Sequence, residues 1–187
     1  MAEPQAPVTE TSWRPGDRRP DTASMIRVDQ AGEYGATRIY AGQLAVLGSG
    51  SPAAHLIARM AAQEERHLKR FNQLMAERRV RPTLLQPLWS AGGFALGAVT
   101  ALIGEKAAMA CTDAVETEID RHYAEQLRDI ADSDPELAAD IREFQAEELE
   151  HRDVAREAGA LDAPAYPVLT ATIRGICRAA IQLSKRI

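Results

Sequence analysis

The sequence has little of what disulfide-rich, zinc-thiolate or nucleic-acid-binding proteins require. Its only two cysteines, Cys111 and Cys177, stand far apart without a C-x-x-C motif, so neither a disulfide framework nor a thiolate zinc site is indicated. Free cysteines usually behave as small buried apolar residues, and we predict that role for both. The net charge of −5 argues against nucleic-acid binding, because such proteins normally carry a basic surface.

Aromatic residues and strand patterns are also scarce. Aromatics make up only 5% of the chain, and no stretch shows the alternation of β-branched residues that is typical of a strand. Alanine is plentiful, which favours packed helices over sheets. A chain of 187 residues is long enough to bury one core. We therefore predict an all-α protein with one folded domain.

The first part of the chain lacks the apolar run of a secretory signal. It contains acidic residues, which argues against a mitochondrial transit peptide. Its prolines and mixed charges predict a disordered leader over residues 1–20, followed by the folded domain over 21–187. Together with many arginines, few lysines and abundant alanine, these features lead us to expect an intracellular bacterial protein.

Capping residues, prolines and glycines divide the folded part into five predicted helices. Ser24, Ser51 and Asp134 are the expected N-caps, and the residues after the last two are prolines, which suit the first helical position. The third helix is expected to begin after Pro87 and the fifth after Pro167. The predicted helices cover about residues 24–48, 51–79, 88–131, 134–159 and 168–187.

Two of the four histidines stand three residues after a glutamate. The pairs are Glu64 with His67, in "QEERH", and Glu148 with His151, in "EELEH". Positions i and i+3 of a helix share a face, so each pair can bind one metal ion. The alternative interpretation is two solvated pairs on helix surfaces.

A single glutamate precedes each pair on the preceding predicted helix. Glu33 lies 31 residues before Glu64, and Glu116 lies 32 residues before Glu148. The chain therefore repeats one unit: a helix with one glutamate, then a helix with Glu-x-x-His. Two such hairpins form the four-helix bundle that holds two metal ions in carboxylate proteins, and we expect Glu33 and Glu116 to be the glutamates able to bridge.

The expected donor set has a definite metal preference. Oxygen and imidazole ligands suit iron or manganese, and four carboxylates balance the charge of two divalent ions. Without metal the four glutamates repel one another, so we expect some to hold protons and the metal-free protein to be less stable.

The segments around these residues resemble the demethoxyubiquinone hydroxylase family. They are "IRVDQAGEYGATRIYAGQLAVL" (26–47), "QEERHLKRFNQLM" (63–75), "ACTDAVETEIDRHY" (110–123) and "EELEHRDVA" (147–155). The resemblance runs from about residue 21 to 187 and implies a ferritin-like four-helix bundle with an additional C-terminal amphipathic helix. Its metal ligands fall on the six residues that the spacing indicates: Glu33, Glu64, His67, Glu116, Glu148 and His151.

The resemblance also implies an activity and its cofactors. Enzymes of this family use two iron ions per chain and O2 to hydroxylate the ring of demethoxyubiquinol during ubiquinone biosynthesis. One oxygen atom leaves as water, so electrons are needed, and reduced nicotinamide is the implied source. No G-x-G-x-x-G follows a strand here, and we expect "AGGFALG" (91–97) to serve helix packing instead.

The same resemblance assigns roles to residues outside the ligand set. Tyr123 is implied to lie near iron and substrate, as a redox relay or hydrogen-bond donor, unless it is simply a buried aromatic. Arg178 is implied in quinone or nicotinamide handling, unless it is an exposed surface residue. Gln182 stands where some members have tyrosine, which puts any electron route through that position in doubt.

Three further polar residues have more ordinary interpretations. Glu147 is either a support for a histidine or a solvated carboxylate. We expect His55 and His122 to be structural, because neither matches a ligand spacing.

The chain also contains an uncharged stretch over residues 82–104. Its 23 residues could span a bilayer, but prolines and glycines dilute its hydrophobicity. The last segment mixes apolar residues with four basic ones, which is typical of an interfacial helix; they are Arg174, Arg178, Lys185 and Arg186. We expect peripheral attachment to the cytoplasmic face of the cell membrane, with core or oligomer packing and a true span as alternatives.

Two other functions compete with the hydroxylase. A ferritin-type ferroxidase or iron-handling protein would use the same ligands, but it needs neither the uncharged stretch nor the basic C-terminal helix. A membrane-docked interaction module with structural acid–histidine groups is disfavoured, because a buried metal-free carboxylate cluster is costly. We also expect a homo-oligomer or a partner protein, since an apolar face should be exposed.

Overall fold

The structure, a computed structural model, describes residues 20–186, and within them every regular element is helical. A short 3-10 helix, Ala160–Asp162, follows the fifth helix. The six α-helices are α1 Thr22–Leu47, α2 Pro52–Arg78, α3 Gln86–Ile103, α4 Glu105–Ile130, α5 Pro135–Glu157 and α6 Tyr166–Ser184. The all-α prediction is confirmed, whereas residues 1–19 of the predicted leader lie outside the described residues.

The starts of three helices depend on side-chain caps. Ser51 and Asp134 accept hydrogen bonds from backbone N–H groups three residues later, at 3.1 Å in each case, so both predicted caps are confirmed. The cap of α1 was predicted wrongly. Asp21 is the N-cap, and it accepts from the N–H of Ser24 at 3.0 Å. Both residue types favour this position, so the pattern identified the turn but misplaced the cap by three residues.

The predicted third helix is in fact two helices, α3 and α4. The helix is interrupted at Gly104, whose backbone φ of 139° is a conformation that residues other than glycine rarely adopt. The segment holds several glycines, and Gly104 was not distinguishable from those inside α3. The prediction of one continuous helix was therefore wrong.

Helices α1, α2, α4 and α5 form the predicted four-helix bundle, and its hairpins are α1 with α2 and α4 with α5. Both α3 and α6 pack against the α1 and α4 side of this bundle. The additional layer therefore contains two helices, not the C-terminal helix alone. Within the described range, none of the helices has the length and apolar character needed to cross a bilayer.

Helix α3 lies so close to α1 that their backbones touch at glycines. A Cβ atom on Gly97 would lie 1.9 Å from the carbonyl oxygen of Ile39. One on Gly42 would lie 2.1 Å from the carbonyl oxygen of Phe94. The prediction that "AGGFALG" serves helix packing is confirmed.

The core of the bundle has two large apolar clusters, one toward each end. The first includes Tyr40, Ile57, Met109 and Ala155, and the second includes Ile26, Phe71, Tyr123 and Ile141. Each bundle helix runs from one cluster to the other. The middle turns of each helix therefore lie between two apolar layers, and the buried acidic residues are found at this level.

Candidate metal centre

The middle of the bundle contains all six residues that the spacing selected. Helices α1 and α4 each contribute one glutamate, and α2 and α5 each contribute a Glu-x-x-His pair. None of the six is more than 1% exposed: Glu33, Glu64, His67, Glu116, Glu148 and His151. The structure thus brings the two halves of the internal repeat into one buried cluster.

The cluster divides into two overlapping groups of potential ligands. One group is Glu33, Glu64, His67 and Glu148, and the other is Glu64, Glu116, Glu148 and His151. Within each group the ligand atoms lie within 4.8 Å of one another. Glu64 and Glu148 belong to both groups, so these two are placed to bridge. Glu33 and Glu116, which the sequence suggested as the bridging pair, each belong to one group only. Spacing along one helix does not reveal which residue lies nearest the opposite helix.

Both histidines direct the same ring nitrogen toward the carboxylates. Nδ1 of His67 lies 3.0 Å from Oε1 of Glu148, and Nδ1 of His151 lies 3.1 Å from Oε1 of Glu64. Several buried atoms here have no hydrogen-bond partner among the described residues: Glu33 Oε2, both Oε atoms of Glu64, His67 Nδ1, Glu116 Oε2 and Glu148 Oε1. Unpaired buried donors and acceptors are rare in native proteins, so these atoms fit a site for cations. Oxygen and imidazole donors suit iron or manganese.

The protonation of the metal-free cluster reflects its crowding. Burial, followed by the charge of Glu64, raises the pKa of Glu33 to about 8. Burial and the charge of Glu148 raise the pKa of Glu116 well above its usual range. Burial alone would lower the pKa of His151, but the neighbouring carboxylates of Glu148 and Glu64 outweigh it and raise that pKa to about 9. Without metal the cluster therefore retains protons near neutral pH.

Two buried tyrosines extend the internal repeat. The hydroxyl of Tyr123 donates to Oε1 of Glu33, and the hydroxyl of Tyr40 donates to Oε1 of Glu116 at 2.9 Å. Each tyrosine follows one of these glutamates by seven residues and bonds to the other one. Tyr123 was predicted from the sequence and Tyr40 was not, although the repeat offset of 83 residues between Glu33 and Glu116 also relates the two tyrosines.

The outer ring nitrogens of the histidines contact residues of the opposite hairpin. Nε2 of His67 lies 2.8 Å from Oε2 of Glu147, and Nε2 of His151 lies 2.9 Å from Oε1 of Gln63. Glu147 is therefore in contact with a histidine, as one of its two interpretations required. Gln63 was missed, although it precedes Glu64 just as Glu147 precedes Glu148.

Glu147 is only partly shielded from solvent, with 20% of its side chain exposed. Burial works against its ionisation, but hydrogen bonds with Arg66 and His67 prevail, so the pKa of Glu147 is lowered. It is therefore a carboxylate at neutral pH, in contrast to the neutral amide of Gln63.

The remaining residues singled out in the sequence lie outside this cluster. The Nε of Arg178 donates to the carbonyl of Arg174 at 3.3 Å, and about half of the Arg178 side chain is exposed. His55 is exposed and Gln182 is exposed on α6. His122 lies 3.3 Å from a buried aspartate, Asp29, which agrees with a structural role.

A mostly apolar cavity of about 390 Å³ lies between α1, α3, α4 and α6. Its lining includes Ile39, Trp89, Leu96, Val115, Ile176 and Ile181. A narrower cavity shares Ile39 and Val115 with it and is also lined by Glu116 and Tyr40. Ile39 and Val115 therefore line both the apolar cavity and the crevice beside Glu116.

One carboxylate lies in the wall of this cavity. Glu118 is fully buried, and Nε of Arg174 donates to it at 2.7 Å from α6. Arg178 approaches the same carboxylate to 3.9 Å. Helix α6 is thereby fixed to α4 through charged groups beside the apolar lining.

The chain is similar to known proteins over most of its length. The family model of the ubiquinone biosynthesis protein COQ7 matches residues 20–184. A 3-demethoxyubiquinol 3-hydroxylase of Rhodospirillum rubrum is 54% identical over 177 residues, which cover 92% of this chain and 82% of that protein. A human mitochondrial protein, NADPH-dependent 3-demethoxyubiquinone 3-hydroxylase, is 54% identical over 167 residues, covering 87% and 76%. The mitochondrial 5-demethoxyubiquinone hydroxylase of Saccharomyces cerevisiae is 46% identical over 181 residues, covering 87% and 77%.

Proposed function

Since this chain belongs to the COQ7 family of ubiquinone biosynthesis proteins, we propose that it is a 3-demethoxyubiquinol 3-hydroxylase whose buried cluster is a di-iron centre. The observation that carries the metal assignment is the pair of overlapping ligand groups, which share Glu64 and Glu148. Each group offers one imidazole and three carboxylates, and the carboxylates number four in all, matching two divalent cations.

The six ligands divide the work of holding the ions. Glu33 and His67 would hold one ion, Glu116 and His151 would hold the other, and Glu64 and Glu148, which belong to both groups, would contribute to both positions. Bound iron would supply the reduction of O2 and the transfer of one oxygen atom to the substrate ring. The overall balance is substrate, O2, two electrons and two protons giving hydroxylated substrate and water.

The chain's own contribution is to orient the ligands and exclude water. Tyr123 and Tyr40 each donate to one oxygen of a terminal glutamate, and the other oxygen of that glutamate, which has no hydrogen-bond partner among the described residues, would be free to bind an ion. Tyr123 is our proposed catalytic hydrogen-bond donor or redox relay, because its hydroxyl touches a ligand directly. The apolar layers above and below the centre keep bulk water away.

The cavity between α1, α3, α4 and α6 is the proposed site of the quinol ring. Its lining is apolar, as a ring with a polyprenyl tail requires, and its inner wall adjoins Glu116. Leu88 and Ile176 line the cavity and are also exposed at the surface, which gives a tail a route outward. Arg178, beside Glu118 in the same region, is proposed to assist quinone or nicotinamide handling.

We further propose peripheral attachment to the cytoplasmic face of the cell membrane through α3 and α6. Their outer faces expose large apolar side chains, and α6 carries no acidic residue beside its basic ones. The exposed set on these two helices is Leu88, Phe94, Val99, Leu102, Ile103, Val168, Ile176 and Leu183. A substrate with a polyprenyl tail resides in a bilayer, so an apolar face around the cavity mouth suits its capture.

Reduced nicotinamide is the proposed electron source. The names of the human relative and several others include NADPH dependence, which belongs to those proteins and motivates the same proposal here. Direct reduction of the quinone would not require a nucleotide-binding domain in this chain.

A single-turnover experiment tests the hydroxylase assignment. The protein is loaded anaerobically with two equivalents of Fe²⁺, mixed with a short-tailed demethoxyubiquinol and exposed to O2, and the quinone is analysed by mass spectrometry. We expect the ring to gain one oxygen atom, and we expect this gain to disappear in Glu148→Ala. Glu150→Ala is the matched control, because Glu150 is an exposed glutamate on the same helix.

The competing ferroxidase predicts a different product from the same experiment. O2 would be consumed and ferric iron would accumulate while the quinone stayed unchanged. That outcome would overturn the hydroxylase proposal and favour an iron-handling protein with the same ligands.

A further inference from the structure

We propose that the two metal positions are inequivalent, and that the ion on the His67 side is held more tightly because Glu147 supports His67 while a neutral amide, Gln63, supports His151. The inference rests on the metal centre of the proposed function. It concerns two residues that are not among the six ligands and that contact the Nε2 atoms of the histidines, on the side away from the carboxylate cluster.

The six ligands alone give no reason for the two metal positions to differ in affinity. Each half provides one histidine and one terminal glutamate, and the two bridging glutamates belong to both halves. Each terminal glutamate also accepts a hydrogen bond from a buried tyrosine of the opposite hairpin. The internal repeat thus matches the two positions ligand for ligand.

The match ends at the outer nitrogens of the histidines. The Nε2 of His67 lies 2.8 Å from a carboxylate oxygen of Glu147, whereas the Nε2 of His151 lies 2.9 Å from the amide oxygen of Gln63. The two supporting residues occupy equivalent positions, each directly before a bridging glutamate. One repeat therefore has a charged acceptor where the other has a neutral one.

A carboxylate acceptor makes its histidine the stronger ligand. When Nδ1 of His67 binds a cation, its Nε2–H donates to Glu147 in a charge-assisted bond, which is about twice as strong as a neutral one. Such a bond makes the imidazole more basic and therefore a stronger metal ligand. Losing a hydrogen-bond partner of this kind typically lowers metal affinity about 10–100-fold. Arg66 also pairs with Glu147, and this keeps the carboxylate in place beside the histidine.

A titration of the metal-free full-length protein with Mn²⁺ separates the two positions without any need for turnover. We expect calorimetry to resolve two binding steps. At one equivalent of metal, electron paramagnetic resonance should show isolated bound Mn²⁺ rather than magnetically coupled pairs.

Three variants assign the tighter step. Glu147→Gln should weaken it about 10–100-fold, so that the two steps merge and coupled pairs form already at one equivalent. Gln63→Glu should strengthen the weaker step and also make the positions alike. Glu143→Gln is the matched control: Glu143 pairs with Arg66 at 2.9 Å one turn earlier on the same helix, but it touches neither histidine.

The possible outcomes are distinct. A single binding step in the unmodified protein, or a Glu147→Gln titration that superimposes on that of Glu143→Gln, would overturn the inference while leaving the metal centre in place. Failure to bind two equivalents of metal would overturn both the inference and the proposed function. Two resolved steps that shift as expected, in a protein that does not hydroxylate the quinol, would support the inference and refute the proposed activity.

Discussion

At the scale of single residues, the main feature is a set of four glutamates and two histidines buried with one another. Burial of so many ionisable groups is unfavourable unless protons or cations compensate the charge. The pKa of Glu33 rises to about 8 and that of His151 to about 9, so the metal-free cluster compensates with protons. A metal ion that bound here would have to displace those protons, which would couple metal binding and folding to pH.

This coupling predicts how the stability of the metal-free protein depends on pH. Glu33 has a folded-state pKa of about 8 against an ordinary 4.5, so its protonated form stabilises the fold at low pH and this contribution is lost as pH rises through 8. His151, raised from 6.5 to about 9, changes stability in the same direction. The free energy of unfolding should therefore fall between pH 6 and pH 8.5, by up to about 1.4 kcal/mol per pH unit for each proton held only by the folded state.

Urea unfolding at several pH values, with and without Mn²⁺, measures this effect. Metal should stabilise the protein more at pH 8 than at pH 6, because its ligands must be deprotonated to bind. In Glu33→Gln the free energy of unfolding of the metal-free protein should fall less steeply with pH. A metal-free protein that becomes more stable as pH rises would contradict the protonated cluster.

A second residue-scale prediction concerns the apolar cavity. Gly35 lines it, and a Cβ added there meets no atom within 4 Å. Gly35→Leu should therefore place a side chain inside the cavity and narrow it, while replacing a helical glycine favours the helix by up to about 1 kcal/mol. We expect hydroxylation efficiency to fall at least about tenfold, which corresponds to about 1.4 kcal/mol of lost binding, with metal content and stability retained.

The matched control for that variant is Gly175→Leu. Gly175 is also a helical glycine with open space around an added Cβ, but it lies on α6 and does not line the cavity. Kinetics with a short-tailed quinol and metal analysis would compare the two. Unchanged efficiency in Gly35→Leu would mean that the ring binds elsewhere.

At the scale of helices, the contact between α1 and α3 sets how the cavity is built. Glycines at the crossing let the two backbones touch, which holds α3 against the bundle while leaving the cavity between α1, α3, α4 and α6. The break at Gly104 then redirects the chain from α3 into α4, which carries Glu116. The segment predicted as one helix, 88–131, thus provides both α3 of the outer layer and α4 of the bundle.

Substitutions within α3 should separate the glycines that make this contact from those that do not. Gly97→Ala places a Cβ 1.9 Å from a backbone oxygen of α1, so it should destabilise the fold by about 3 kcal/mol, at the upper end of overpacking costs. Gly92→Ala meets nothing within 4 Å and should be neutral or stabilising by up to about 1 kcal/mol. Equilibrium unfolding in urea measures both, and equal stabilities would refute close backbone packing.

At the scale of the whole molecule, α3 and α6 distinguish this protein from a bare four-helix bundle. They present exposed apolar side chains outward and line the cavity inward. Trp89 of α3 donates to Ser184 of α6 at 3.1 Å, so the start of one lies against the end of the other. A bilayer at this surface would lie beside the mouth of the cavity.

Vesicle co-sedimentation tests that arrangement. Leu102 on α3 and Val168 on α6 are 73% and 69% exposed, so Leu102→Glu with Val168→Glu should abolish binding to phospholipid vesicles without unfolding the protein. Leu161→Glu, an exposed leucine outside both helices, is the control.

The alternative occupant of this surface is a second copy of the chain or a partner protein. Vesicle binding that persists in the double variant would refute docking through α3 and α6. If sedimentation equilibrium showed that the double variant alone loses an oligomer while wild-type protein ignores vesicles, the surface would be a protein interface instead.

The sequence by itself determined the helical class, the hairpin repeat and the six residues that converge in the bundle. Periodicity decides which side chains share a face of one helix, and Glu-x-x-His repeated at matched distances records that information directly. The metal-binding role of the six residues stays a prediction, and so do the roles of Tyr123 and Arg178.

Only the tertiary structure decided what depends on how separate helices meet. It placed Glu64 and Glu148 in both ligand groups and paired Tyr40 with Glu116 of the other hairpin. It also brought Glu147 and Gln63 into contact with the Nε2 atoms of the histidines. It also divided one predicted helix at a glycine and formed the apolar cavity between four helices. These features follow from interhelical distance and rotation, which packing determines and a one-dimensional pattern does not contain.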